Sequence, residues 1–426
     1  MSDSSPQQPI NGLIEPQCQY FVMRKKRLCR MTVRPGRQYC GEHEPQPKTT
    51  EDGQDDKRIP CPNDHKHSVY VSKLEKHLTI CNARATEQPP YIVANINAPT
   101  EVDTCPRKPL SQLPRETVMQ VIDQVNFLYE KHVKDNITTA PDYPIHSTVM
   151  EEFSESSRAE SSLRHLRQVS SLLWLAEEEG LVADNTCYVE LGAGKGHVSY
   201  YASHAWCAAR SCALLLDRAA LRHKRDNKLR RTATRLRADL AHVALQRVPQ
   251  VAQRDAVVGL AKHLCGVATD YALRCICGEG VLHKTRGVVL ATCCHHRCER
   301  AAFVANQQLQ EMGISSEEFN VMLGIVSWAT CGDGRSRDTR RELATAHSQE
   351  PLVAGDSDTL AGDSDTPERL VLPQEVRAAV GRRAKRLLDW ARVLHLRGRG
   401  FDARLCYFVP AAVSLENVCI VAKKLS

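Results

Sequence analysis

From Arg115 to about Lys134, apolar residues recur at helical spacing: Val118, Met119, Val121, Ile122, Val125, Leu128 and Tyr129 form one face, with charged residues between. That period predicts an amphipathic packing helix. Residues 160–180 repeat the pattern through Leu163, Leu166, Val169, Leu172, Leu173 and Leu175, and Gly180 offers a C-terminal cap. A third stretch, 374–396, points Val376, Val380, Ala384, Leu387, Leu388, Ala391 and Leu394 inward. On it, Arg377, Arg382, Arg383, Lys385, Arg386 and Arg392 are expected outside. Between the helices the apolar runs are short and unbroken. Cys187–Val189 leads into Glu190, Cys212–Leu216 ends at Asp217, Leu236 precedes Asp239, Ala256–Ala261 follows Asp255, and Gly287–Thr292 precedes a cysteine pair. Such runs predict strands buried on both faces of a parallel sheet. Leu405–Val409 and Val418–Ala422, joined by a short loop, predict a closing antiparallel hairpin. Strands alternating with helices predict an α/β architecture.

A chain of 426 residues has room for two or three domains. Its 42% hydrophobic and 25% charged content is ordinary for globular protein. A net charge of +7 permits an anionic partner without requiring one. No apolar run is long enough to span a bilayer and Met1–Ser5 does not open a secretory signal, so an intracellular protein with no membrane partner is expected. In such a protein, 18 cysteines point to metal sites or free thiols rather than a disulfide frame. Residues 344–367 carry a small polar repeat (Ala354–Leu360, then a near copy from Ala361) and are expected to be a disordered insert. Residues 327–340 are turn-rich and basic, as a substrate loop would be.

Two clusters near the N-terminus carry metal-ligand chemistry. Cys18, Cys29, Cys40 and His43 follow C-x10-C-x10-C-x2-H, and Cys61, His67, His77 and Cys81 follow C-x5-H-x9-H-x3-C. Four such ligands close a tetrahedral zinc site. In the second cluster residues 70–81 read as a short helix, whose four-residue spacing puts His77 and Cys81 on one face; His65 competes with His67 as ligand. So few apolar residues surround each cluster that zinc would have to supply the folding free energy. The fingers are expected at 15–45 and 58–84, with a linker over 82–112, helical residues over 113–180 and a core over 181–424. They would bind RNA or protein, or cap the core.

The core is organised around Glu190-Leu-Gly192-Ala-Gly194-Lys-Gly196, where an apolar strand runs into a glycine turn and then a helix from His197. Glycines there permit a sharp turn and close approach of a ligand. The Gly-Lys-Ser/Thr of a phosphate-binding P-loop is absent. The turn resembles the S-adenosylmethionine (SAM) site of Rossmann-like methyltransferases. Asp217, about twenty residues on at the next strand end, stands where a ribose-binding carboxylate belongs. Asp239 would approach the adenine. The basic run from Arg218 to Arg237 is either a solvated face or a phosphate-tracking surface. Lys262-His263-Leu-Cys265-Gly266 closes the fourth strand, and Cys293-Cys294-His295 the fifth. Neighbouring side chains diverge, so that last run reads as a strand-edge loop holding a site residue rather than as a third metal site.

These motifs, in this order, together with Ala268-Thr-Asp270, Cys331-Gly-Asp-Gly-Arg335, Tyr407 and Leu415-Glu-Asn417, resemble the eukaryotic tRNA 2'-O-ribose methyltransferase family that modifies nucleotide 4 of the acceptor stem. The resemblance spans roughly residues 15–424; one departure is the acidic repeat near residue 360, read as an inserted loop. It implies a Rossmann-like class I SAM-dependent sheet with two zinc fingers, SAM and zinc as cofactors, and tRNA as partner; it names no protein partner. The SAM-binding set is then Glu190, Gly192, Gly194, Gly196, Asp217 and Asp239. Lys262 and His263 lead as base and orienting donor, with His295 the second candidate; Lys262 could instead clamp phosphate. Two rivals remain. One is an RNA-binding adaptor with an inactive methyltransferase fold. The other is a base methyltransferase using Cys265, Cys293 or Cys294 as nucleophile, although the Pro-Cys dipeptide of that chemistry is missing from this edge.

Overall fold

A computed structural model of the chain describes residues 17–23, 27–40, 43, 48–49, 55–81, 83–84, 88–100, 105–207, 210–221, 224–229, 231–331 and 372–425. Of the substrate loop expected over 327–340, Trp328–Cys331 form a short helix; the rest of it, the polar repeat, and Arg222 and Arg230 of the basic run lie outside the described residues. The chain divides into two compact units, Met1–Gln88 and Pro89–Ser426.

The second unit is built on eight strands: β1 Ile137–Thr139, β2 Thr186–Leu191, β3 Cys212–Leu216, β4 Ala233–Leu236, β5 Ala256–Cys265, β6 Thr285–Cys293, β7 Phe401–Tyr407 and β8 Val418–Lys424. They lie in the order β4-β3-β2-β5-β6-β8-β7-β1. Only β8 runs antiparallel to its neighbours, so the other seven strands share one carboxyl edge. Alternate residues of β2 serve different cores, as the pleat dictates: Cys187, Val189 and Leu191 join one, and Tyr188 the other. The first core is covered by α1 Arg115–His132, α4 Val267–Ile276 and α5 Gln374–Gly398. The second is covered by α2 Glu160–Glu178 and α3 His197–Trp206. Helix α2 ends as its glycine foretells. Gly180 adopts φ 64°, its amide donates to the Glu177 carbonyl, and the Leu181 amide donates to that of Ala176. These paired bonds satisfy carbonyls that the last helical turn would leave bare.

Three features depart from expectation. Part of the 82–112 linker is anchored: Ile92 bridges Val243, and the buried Asn97 amide donates to the carbonyls of Leu240 and Val243 at 2.7 and 2.8 Å. Strand β1 is only three residues long, too short for a period to show. On α5, Arg392 and Lys385, both expected outside, are buried, Arg392 fully between Asp270 and Asp389, while Val376, expected inward, is exposed. Helical spacing cannot foresee that a buried guanidinium meets a carboxylate from a helix over a hundred residues earlier.

Candidate active site and metal centres

Strand order reverses between β2 and β5, and in open α/β sheets ligands bind beyond the carboxyl ends at such a switch point. A cavity of about 380 Å³ opens there, lined by Gly192, Asp217, Asp239, His263, Leu264 and Tyr271 among others. Its size suits a small organic ligand. The glycine turn forms one wall, with Gly192, Gly194 and Gly196 all at positive φ. A Cβ on Gly194 would meet nothing within 4 Å, so that backbone borders open space. Gly196 is needed for packing instead: a Cβ there would come within 2.7 Å of Leu215 Cδ2.

Each predicted carboxylate has a distinct place. Asp217 Oδ2 accepts from the Gly194 amide at 2.7 Å, and Oδ1 from the Ala219 amide at 2.7 Å, so the acid locks the turn to the end of β3. One lone pair on each oxygen remains for a ligand hydroxyl. Asp239 lines the same cavity and caps the short turn that follows through the Ala241 amide. Glu190 does not line it. Buried at 3% exposure, it accepts from the amides of Val198 and Ser199 and so anchors the start of α3. Burial pushes its carboxyl up to about 6, against the pull of these donors.

Lys262 and His263 lie near the carboxyl end of β5. The register slips between Lys262 and Leu264, where His263 takes φ 65°. Lys262 Nζ lies 3.1 Å from Nδ1 of His165 on α2. Burial brings the Lys262 amine down to about 8, although the charges of Glu190 and Cys293 resist. Burial, then the Lys262 charge, then His165, bring His263 down to about 4. The edge therefore presents a neutral imidazole beside an amine poised to exchange its proton near neutrality. His165 escaped sequence reasoning, because within α2 it reads as one polar position on an amphipathic helix.

His295 is not among the residues lining this cavity. At 2% exposure its Nε2 bonds Asp389 Oδ2 at 2.8 Å, beside the Thr292 hydroxyl that donates to the same oxygen at 2.7 Å. The basic run is partly consumed internally. Arg225 pairs with Glu152, and Arg235 makes a two-bond pair with Asp226 at 2.9 Å. Arg218 stays 82% exposed, only 3.7 Å from Asp239. A larger cavity, about 690 Å³, opens on the same sheet edge near Tyr143, Arg167, Tyr407 and Asn417. It lacks the glycine turn and its paired acid.

In the N-terminal unit both predicted ligand sets converge, the donor atoms of each lying within 4.8 Å of one another. In the first, the Cys18 and Cys40 sulfurs are 3.5 and 3.3 Å from His43 Nδ1. In the second, Cys61 and Cys81 sulfurs are 3.7 Å apart, and the Nε2 atoms of His67 and His77 3.1 Å. A tetrahedron with Zn–S near 2.3 Å and Zn–N near 2.0–2.1 Å has S···S and N···N edges of about 3.8 and 3.4 Å, so both sets fit zinc. Against expectation, a third set also converges: the sulfurs of Cys265, Cys293 and Cys294 lie within 4.8 Å of one another.

The family model described as methyltransferase TRM13 matches residues 167–423, which covers the glycine turn, the cavity and the closing hairpin. The chain belongs to the TRM13 methyltransferase family. The CCCH zinc finger found in TRM13 proteins matches residues 16–44, and a U11-48K-like CHHC zinc finger matches 58–82. The chain is 32% identical to the mouse tRNA:m(4)X modification enzyme TRM13 homolog, over 97% of this chain and 95% of that protein. It is 31% identical to the human one over 96% and 94%, and 25% identical to the TRM13 of Saccharomyces cerevisiae over 96% of each. Among the described residues of this chain, no helix is long and apolar enough to cross a membrane.

Chelation is expected to unfold both fingers, because zinc binding worth about 10–16 kcal/mol substitutes for a hydrophobic core in such modules. Limited proteolysis after chelator treatment should cut rapidly within residues 17–81. Unchanged resistance there would mean the fingers fold without metal.

Proposed function

We propose that this protein transfers the methyl group of SAM to the ribose 2'-hydroxyl of nucleotide 4 in the tRNA acceptor stem, on a Rossmann-like class I core. The observation that carries the reading is the cavity at the switch point: a glycine turn tied to a strand-end carboxylate, with Lys262 on the strand beside it. Membership in a methyltransferase family and the tRNA:m(4)X designation of the relatives support it. The domain plan is fingers at 15–45 and 58–84, a helical lead at 113–180 and a catalytic core at 181–424, with an insert at about 344–367. The fingers would hold zinc.

Gly192 and Gly194 would lie against the donor, with Asp217 on the ribose hydroxyls and Asp239 near the adenine. Glu190 and Gly196 serve one step removed, shaping the turn and seating α3. SAM supplies an electrophilic methyl. What remains for the protein is to place the 2'-hydroxyl and take its proton. Lys262 is the base, His165 accepts a hydrogen bond from its amine, and His263 orients the substrate. His295, engaged by Asp389, braces the loop after β6.

A base must be neutral to accept a proton, and the Lys262 amine is brought down to about 8. Single-turnover methyl transfer is therefore expected to climb as pH rises through about 8 and level off above it. A profile that is flat or falling across that window would remove Lys262 as the base. The reading as a whole is tested by incubating the protein with labelled SAM and total tRNA, then mapping the label by nuclease digestion and mass spectrometry. A 2'-O-methylated nucleotide 4 is expected; label on a base, or at another position, would overturn it.

A further inference from the structure

Cys265 ends β5 and Cys293 ends β6; the two are register partners, and their sulfurs stand 3.0 Å apart. Cys294 follows directly, and a continuing strand would send its side chain to the opposite face. Instead its backbone turns left-handed at φ 50°, and its thiol comes round to within 4.8 Å of the other two. A non-glycine residue held there is strained. His263, two residues before Cys265, is held left-handed as well. Both strand ends are thus bent where the three sulfurs gather. Three neutral thiols return little for that strain, since S–H is a weak donor and sulfur a weak acceptor. A soft cation bound by three thiolates would return far more.

We propose that Cys265, Cys293 and Cys294 form a third metal site, which binds Zn²⁺ as three thiolates and leaves its fourth position to water or a substrate oxygen. Binding replaces three S–H bonds with three Zn–S bonds and releases three protons to solvent; no electrons move. The sulfurs of Cys265 and Cys293 must part from 3.0 Å to about 3.8 Å, the spacing of two thiolates on one zinc. A disulfide between Cys265 and Cys293 is the competing use of the pair, but it would leave the turn at Cys294 without a purpose. Because Cys265 also lines the switch-point cavity, the ion would border it. The proposal stands independently of the methyl-transfer reading.

The test is the metal content of the full-length protein, purified under reducing conditions with trace zinc and measured by plasma mass spectrometry. Three zinc ions per chain are expected. C294S and the double variant C293S/C294S should carry two, with unchanged circular dichroism. A chain with both fingers disabled, C18S/C61S, should retain one, which keeps the test meaningful if the strand-end variants fail to fold. Two ions in the wild type, or three retained in C293S/C294S, would overturn the proposal. So would a wild-type chain that holds two ions and forms the Cys265–Cys293 disulfide under mild peroxide.

Discussion

Replacing Lys262 with alanine is expected to lower methyl transfer by roughly 10²–10⁴-fold, the usual worth of a positioned general base. Stability and SAM affinity should stay near wild type. The side chain is half-buried near the end of β5, where it meets His165. It is not among the groups lining the cavity, so donor binding does not depend on it. Lys262→Arg separates two roles. Arginine keeps the charge but cannot give up a proton in this pH range, so it fails as a base and succeeds as a phosphate clamp. Single-turnover rates at saturating SAM, with calorimetry of SAM binding, decide between them. Near-wild-type turnover in Lys262→Ala would remove the residue from the mechanism.

The largest loss of stability is expected from Arg392→Leu, about 3–5 kcal/mol, because two buried carboxylates would lose their counter-charge. Arg392 is 0% exposed. It donates to both oxygens of Asp270 at 3.0 and 2.7 Å, to Asp389 at 2.8 Å and to the Cys298 sulfur at 3.2 Å. Burial alone would raise Asp389, yet the charges of His295 and Arg392 hold its carboxyl well below the usual range. With a depressed folded pKa, this contribution is complete above about pH 4 and lost as pH falls through the folded value. Denaturant midpoints should therefore show the wild type losing its advantage over Arg392→Leu on acidification. Adding D270N and D389N to Arg392→Leu should restore much of the loss, since burying a pair and burying nothing charged differ little. A midpoint near wild type in Arg392→Leu would show that the cluster is not a determinant of stability.

The features legible in the sequence are those written in short-range spacing. The helix faces of α1 and α2, the glycine turn, Asp217 at the end of its strand and both finger ligand sets depend on residues within a few turns or one loop of each other. What escaped depends on distant contacts or on a single torsion. His165 meets Lys262 across 97 positions, and Arg392 meets Asp270 across 122. The rule that adjacent side chains diverge holds for an extended strand and fails at Cys294, where one left-handed residue reverses it. Glu190 shows a subtler gap. Its place in the motif is plain, yet whether it touches a ligand or a helix terminus is decided by where α3 begins.

The placement of β8 bears on how the polypeptide matures on the ribosome. Strand β6 leaves the ribosome well before Val418–Lys424, the strand that covers one of its flanks. Domains generally complete as units during synthesis. Here an open ribbon edge, and the carboxylate of Asp270 awaiting its guanidinium, must persist until Arg392 and then β8 have emerged. Nascent chains stalled before codon 392 should accordingly be captured by chaperones, and those in which β8 has cleared the ribosome should not.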